Sequence, residues 1–369
     1  MLAKYLMILV NDYYDLVPEL FDTFPEFTKS TTAEIDILPA VCKQSFKYSN
    51  NFTVLVQPEP IDSLLPAHET QITCKPNAVW ALSGHFLRNS EQIKNWILYL
   101  ASLTMTVRVN PNLPAVEPGA KSYVATALLG GWSQKRGLVL NELRKHGLLD
   151  QCLVNYYDRT AMKDDNQRQQ LKLEWPDYFY NYRTPALDQL DNEVFLNIAF
   201  DHSVNRFNSC RPIPNSKAGQ HGWISQLVPY NIYNNAYISL VTETEGGKKA
   251  TDENNFFVSE KITKPILVGH PFLVYGGQYY LKNLRELGFE TFDPWLDESY
   301  DLIKDPILRI CAMVKSLNNF AQLTESEKLS KMVGMQPAVD HNRRWVQDRR
   351  WGVAPIANAI KQNLNLKKS

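Results

Sequence analysis

The chain has no net charge to steer it: Lys and Arg together number 39 over 369 residues, and Asp and Glu number 39 as well. That excludes a global field drawing it to nucleic acid or an anionic membrane, and leaves only local basic patches. Cysteine is scarce. Cys42, Cys74, Cys152, Cys210 and Cys311 are odd in number, far apart and form no C-x-x-C pair. A disulfide framework and a thiolate zinc site are therefore not expected, and a reducing, cytoplasmic setting fits. No window reaches the roughly 18 apolar residues a spanning helix needs. The opening run before Asn11 is too short for a membrane span or a signal segment and reads as a buried first strand. No G-x-G-x-x-G follows a strand, which counts against a dinucleotide-binding oxidoreductase. Internal repeats and low-complexity tracts are lacking too.

What is present is a globular composition: 44% apolar, 11% aromatic and 21% charged. The length suits two cores of ordinary domain size. Pro111, Pro114 and Pro118 punctuate Asn110–Gly119, which can continue neither a helix nor a central strand and is the natural hinge. Before it, strands are predicted at Phe52–Val56 and Ala78–Leu82, and a helix at Glu91–Leu103 with Ser90 as its cap. After it, strands are predicted at Tyr123–Leu129, Leu153–Tyr157, Tyr237–Thr242 and Phe272–Tyr275. Helices are predicted at Gln134–His146 ending at Gly147, at Ser259–Val268 with Pro265 kinking or shortening it, and at Tyr280–Leu287 ending at Gly288. Residues 210–222 and 243–255 read as loops, and the chain is helical from about Asp305. Alternating strands and helices imply parallel sheets covered on both faces. The expectation is α/β, with two Rossmann-like domains facing a cleft: 1–115, 120–310, and a helical tail at 311–369 packing across them.

The stretch from Tyr237 to Phe272 carries the most chemistry. A strand ends in a carboxylate, Glu243; a polar loop follows; then a helix starts with Ser259, Glu260 and Lys261. A helix N-terminus offers N–H groups and partial positive charge to phosphate, and a first-turn Lys adds a point charge. A neighbouring Glu can accept both hydroxyls of a ribose. The same residues also make an ordinary helix start, with Ser259 as cap, Glu260 favouring the dipole and Lys261 solvated.

The run LVTETEGG…FFVSEKITKPILVGHPFLVYG resembles the donor segment of bacterial fucosyltransferases of the GT-B type, where a strand reading F-E-N is followed by V-T-E-K-I and a strand ending in Y/W-G. Thr242-Glu243-Thr244, Val258–Ile262 and Val274-Tyr275-Gly276 are the corresponding residues, with Thr244 in place of Asn and a longer polar loop. The likeness extends to fucosyltransferase-like glycosyltransferases of bacteria and phages. Gly130–Asp150 is similar to the first strand-turn-helix of the donor domain in these proteins. The resemblance covers about half of the chain. It implies a transferase using a nucleotide-sugar donor, with Glu260 on the ribose, Lys261 on the diphosphate, and Glu243 near the sugar or phosphate end. Lys135 or Arg136 would reach a phosphate, and Ser259 would cap the helix beneath it. His270 would bond the sugar or the loop, or serve as a packed structural histidine. Such enzymes commonly neutralise phosphate with Lys, Arg and helix dipoles, and no D-x-D stands at a strand end, so no metal is expected.

The base would come from the N-terminal part. Glu59, just beyond the strand Phe52–Val56 in Gln57-Pro58-Glu59-Pro60, sits where the resemblance puts a general base, and a solvated turn glutamate is the other reading. For the acceptor, the phage relatives point to 5-hydroxymethylcytosine in double-stranded DNA, receiving glucose or arabinose, which requires a flipped base and local phosphate contacts. The alternatives are a glycan or protein acceptor, or a non-catalytic phage interaction protein on the same fold. Arg343, Arg344, Arg349 and Arg350, alternating with Trp345 and Trp351, form the clearest basic stretch; it reads either as a phosphate-and-base surface or as a helix whose Trp residues dock while its Arg residues face water. His202 and Arg206 are weaker candidates for the site. Oligomeric state is open.

Overall fold

The computed structural model describes residues 6–10, 52–57, 78–82, 96–98, 100–110, 112–131, 134–157, 182–190, 200–201, 206–207, 226–243, 256–347 and 358. In chain order the strands are β1 (Leu6–Val10), β2 (Phe52–Gln57), β3 (Ala78–Leu82), β4 (Trp96–Leu98), β5 (Tyr123–Gly131), β6 (Cys152–Tyr157), β7 (Tyr182–Arg183), β8 (Phe200–Asp201), β9 (Arg206–Phe207), β10 (Ala236–Thr242) and β11 (Phe272–Tyr275). The helices are α1 (Ala101–Val109), α2 (Gln134–Lys145), α3 (Leu187–Leu190), α4 (Tyr230–Asn234), α5 (Glu260–Val268), α6 (Tyr280–Glu286), α7 (Pro306–Ala321) and α8 (Glu325–Val346).

Two larger sheets are formed. The first is wholly parallel in the order β1-β2-β3-β4, with Leu6 facing Phe52, Thr53 facing Ala78 and Trp80 facing Trp96. The helix expected at Glu91–Leu103 is corrected here. Trp96–Leu98 is a strand paired with β3, and the helix starts at Ala101 and runs on to Val109. Trp-Ile-Leu is a short continuous apolar run, which suits a buried parallel strand as well as a helix, and periodicity alone does not separate the two. Leu100, not Ser90, stands at the helix start, without a side-chain cap; Ser90 and Glu91 lie outside the described residues.

The second sheet has the order β11-β10-β5-β6-β7, parallel except for β7. From β5 the chain steps to one side to make β6, then returns to the other side of β5 for β10 and β11. The order reverses between β5 and β10, which is where open α/β sheets take ligands, outside the carboxyl ends of the strands. Both crossovers being right-handed, their opposite directions put α2 and α5 on opposite faces. Helix α2 packs against α7, and α5 packs against α1 and α8. The central strands read as near-continuous apolar runs because both faces are covered; all seven residues of β10 are buried.

The caps explain where the helices stop. Ser259 accepts the Lys261 N–H at the start of α5, Asp305 accepts from Ile307 and Leu308 at the start of α7, and Thr324 and Glu327 make a reciprocal capping box on α8. Gly147 and Gly288 take φ of +66° and +87°, closing α2 and α6 with paired turn hydrogen bonds that an L side chain would strain. Pro265 removes one donor from α5, which ends three residues later at Val268.

The proline-rich segment after α1 is irregular, as its prolines require. It is also fastened: Val116 N–H donates to Val268, Glu117 N–H to Asn234, Tyr230 hydroxyl to Ala115, and the Arg343 guanidinium to Leu113. Residues 112–120 therefore belong to the body of the second sheet. So do α7 and α8. The boundary drawn at 310/311 falls inside α7, where Arg309 and Ile310 are buried, and Ile310, Met313, Val314, Leu317 and Phe320 join the core of this sheet. Trp345 donates to Leu287 and stacks on His341, so this Trp does dock. Arg343 spends its guanidinium on the carbonyls of Leu113 and Leu267 instead of facing water, and Arg344 is exposed. Arg349, Arg350 and Trp351 lie outside the described residues. Among the described residues, no helix is long and apolar enough to cross a membrane.

Candidate functional site

Glu243 is the residue around which the carboxyl edge is organised. It follows directly on β10, and its N–H donates to the Tyr275 carbonyl at the end of β11. Its side chain is only 5% exposed. Oε1 accepts the Ser259 N–H at 3.1 Å and the Tyr280 hydroxyl at 3.2 Å, while Oε2 takes a short hydrogen bond from the Ser259 hydroxyl. One residue thus joins the ends of β10 and β11, through its N–H, to the starts of α5 and α6, through its carboxylate. Burial pushes its pKa up, against the pull of Lys261 and the Ser259 hydrogen bonds. Its polar atoms point inward at the scaffold, so the position expected near the sugar or phosphate is instead that of a brace beneath the first turn of α5.

That first turn carries the charges. Glu260 and Lys261 form an ion pair at 2.7 Å, with side chains 19% and 24% exposed. Burial works to raise the Glu260 pKa, but Lys261 and then Lys264 outweigh it and hold the carboxylate below its usual range. Lys264 was not singled out in the sequence. It stands four residues after Glu260, on the same helical face, and is 5% exposed. Burial lowers its pKa to about 7, with Glu260 resisting and Lys261 reinforcing. The E-x-x-x-K spacing could have revealed it.

Across β10, the start of α2 supplies Lys135, the second residue of that helix. Its Nζ lies 5.6 Å from the centroid of the Tyr275 ring, and Arg309 reaches within 5.9 Å of the same ring. Arg309 uses its guanidinium on the carbonyls of Ile303, Gly276 and Lys304, holding the segment between β11 and α7. Arg136 is half-buried beside Lys135. Lys135, Glu243, Ser259, Glu260 and Lys261 are therefore brought to one edge of the sheet by three neighbouring parallel strands.

His270 is not. It precedes β11 and lies at the amino edge, 1% exposed. Nε2 is 2.7 Å from the Ala236 carbonyl, an obligate acceptor, so Nε2 carries the proton and Nδ1 accepts from the Ser239 hydroxyl at 2.7 Å. Ser239 in turn accepts from Thr126 at 3.4 Å. With both ring nitrogens engaged and burial driving its pKa down to about 4, His270 is a packed structural histidine and its assignment to the donor is corrected. Glu59, two residues beyond β2, and His202 lie outside the described residues. Arg206 stands opposite Asp201 in the antiparallel register of β8 and β9. Among the described residues no cluster of three or more His, Cys, Asp or Glu could hold a metal ion.

No family model and no curated protein matches this chain. Solved structures do overlay on it. A DNA-modifying β-glucosyltransferase, determined with and without uridine diphosphoglucose, matches 98% of this chain and 99% of its own at 10% identity and a TM-score of 0.38. T4 phage BGT in complex with UDP and Mn2+ matches 98% and 99% at 9% identity and a TM-score of 0.36. With TM-scores below 0.5 this overlap says nothing of the chain's chemistry, which has to be read from its own residues.

Proposed function

We propose that the chain is a glycosyltransferase that binds a nucleotide-sugar donor at the carboxyl edge of the β5-β10-β11 sheet, in a two-domain GT-B arrangement with the first sheet on the acceptor side and the second sheet, together with residues 112–120, α7 and α8, on the donor side. The observation that carries this reading is the placement of Lys135, Glu260 and Lys261 at the starts of α2 and α5, on the carboxyl edge beside the point where strand order reverses. Lys261 sits in the first turn of α5, where the helix terminus and an ammonium favour a diphosphate. Glu260, held ionised, is suited to accept ribose hydroxyls. Lys135, with Arg136 beside it, adds positive charge from α2. Glu243 holds α5 against the sheet so that these groups are in place before the donor arrives.

The acceptor hydroxyl would be deprotonated by Glu59 as it attacks the anomeric carbon, and the sugar–phosphate bond breaks with the charge passing to the nucleoside diphosphate. The acceptor we assign is 5-hydroxymethylcytosine in double-stranded DNA, on the sequence likeness to phage sugar transferases.

The test is a thermal-shift panel of UDP, GDP, CDP and ADP against wild type and Lys261→Ala. Stabilisation of wild type by one nucleotide, lost in the variant, is the expected result; no shift from any of them at millimolar concentration would sink the donor-site reading. Transfer of sugar from the matching donor to hydroxymethylcytosine DNA, and not to unmodified DNA, then checks the acceptor. Running it with and without Mn2+ tests the expectation that no metal is needed.

A further inference from the structure

Tyr275 ends β11, the strand at the margin of the proposed donor site, and its side chain is fully buried. Its hydroxyl has no hydrogen-bond partner among the described residues. The buried phenols nearby are satisfied: Tyr280 shares its proton between Glu243 and the Phe257 carbonyl, and Tyr300 accepts the Val274 N–H. Buried polar groups are nearly always paired, so an orphan beside two paired phenols asks for a reason.

Its surroundings supply one. The ring faces the Lys135 ammonium at 5.6 Å and the Arg309 guanidinium at 5.9 Å. Arg309 is turned toward backbone carbonyls, but its charge still adds to that of Lys135 around one phenol. The next residue, Gly276, leaves no room for a side chain, because a Cβ there would collide with the Tyr280 ring; the backbone past the phenol is pinned from both sides. Two cations and an unused O–H donor at the carboxyl end of a parallel strand form a set complementary to an oxyanion.

We infer that Tyr275 is a ligand-binding residue of this site, its hydroxyl donating to a phosphate oxygen of a bound nucleoside diphosphate beside the Lys135 ammonium. The inference rests on the donor-site reading above and adds a neutral donor to it from the opposite side of β10. Burial holds the phenol well above its usual pKa, so it remains a protonated donor throughout the range in which the diphosphate is ionised.

Tyr275→Phe tests this, because it keeps the ring against Lys135 and removes only the oxygen. Titration calorimetry with UDP, GDP, CDP and ADP in turn would be run on wild type, Tyr275→Phe and Lys261→Ala, with melting temperatures for each. The expected result is a Tyr275→Phe protein as stable as wild type or more so, since an orphan hydroxyl has been deleted, with affinity for the favoured diphosphate about 10-fold weaker. Unchanged affinity in Tyr275→Phe, with Lys261→Ala still impaired, overturns the role of Tyr275 and leaves the donor site standing. Failure of wild type to bind any of the four overturns both. If Tyr275→Phe melts lower, Tyr275→Leu decides: a simple packing role predicts a larger loss of stability with no added loss of affinity in the fraction that folds, and that outcome too overturns the inference.

Discussion

The two edges of the second sheet bury polar groups to opposite ends. At the amino edge, Ala236, His270, Ser239 and Thr126 form a chain in which both imidazole nitrogens and the Ser239 hydroxyl are engaged. At the carboxyl edge, Glu243 is engaged by Ser259 and Tyr280, yet just beyond it stand a partly exposed Glu260–Lys261 pair, a buried Lys264 and the unpartnered Tyr275 hydroxyl. A satisfied network holds a structure together; charges and an unpartnered hydroxyl gathered at one rigid edge are what a ligand can use. The difference lies in strand direction, since helix N-termini gather only at the carboxyl ends.

The comparison can be broken most forcefully at Glu243. Glu243→Ala strips the acceptor from two buried Ser259 donors and should cost about 4 kcal/mol in urea unfolding. Glu243→Gln, which keeps shape and an acceptor, should cost about 1 kcal/mol; equal losses would show that the hydrogen bonds are not what matters. Next comes the amino edge under acid. His270 is held neutral, with a folded pKa of about 4 against 6.5. Its contribution is therefore full above about pH 6.5 and lost as pH falls through 4, because the unfolded chain binds the proton first. Stability should drop by about 3 kcal/mol over that window, and His270→Gln should flatten the dependence while leaving nucleotide affinity intact. Reduced nucleotide binding in His270→Gln would erase the distinction between the edges.

Smaller effects sharpen it. Lys261→Ala should weaken nucleoside diphosphate binding by about 10- to 100-fold with little change in melting temperature, since its ion pair with Glu260 is partly exposed. Thr324→Ala, which removes the capping box of α8 far along the chain, should cost about 1 kcal/mol and leave both the acid dependence and nucleotide affinity as they were. A change in either would mean that the two edges communicate through the helical layer.

Much of this was legible beforehand. Strands β3 and β11 coincide with their expected bounds, and β5, β6, β10, α2, α5 and α6 differ by no more than a residue or two at an end. Local chemistry marks them: Ser259 as cap, Gly147 and Gly288 as stops, continuous apolar runs for strands buried on both faces. Trp96–Leu98 escaped because three apolar residues satisfy a helical and an extended pattern alike. His270 was misassigned because adjacency to a donor-like motif says nothing of which end of the sheet a residue occupies, although its place before β11 could have told. Lys264 was hidden in an apolar-flanked run, and Tyr275 was legible only as the end of a strand motif; burial, not residue type, makes both notable.

The sequence by itself determined the alternation of strands and helices, their caps, and the charged first turn of α5, because each of these depends on contacts within a few residues. Only the tertiary structure decided that β10 returns beside β5, that Lys135 reaches Tyr275 across it, that Glu243 braces α5, and that α7 and α8 are core helices. Those pairings join residues far apart in the chain, and they depend on which buried polar groups find partners once the sheet has closed.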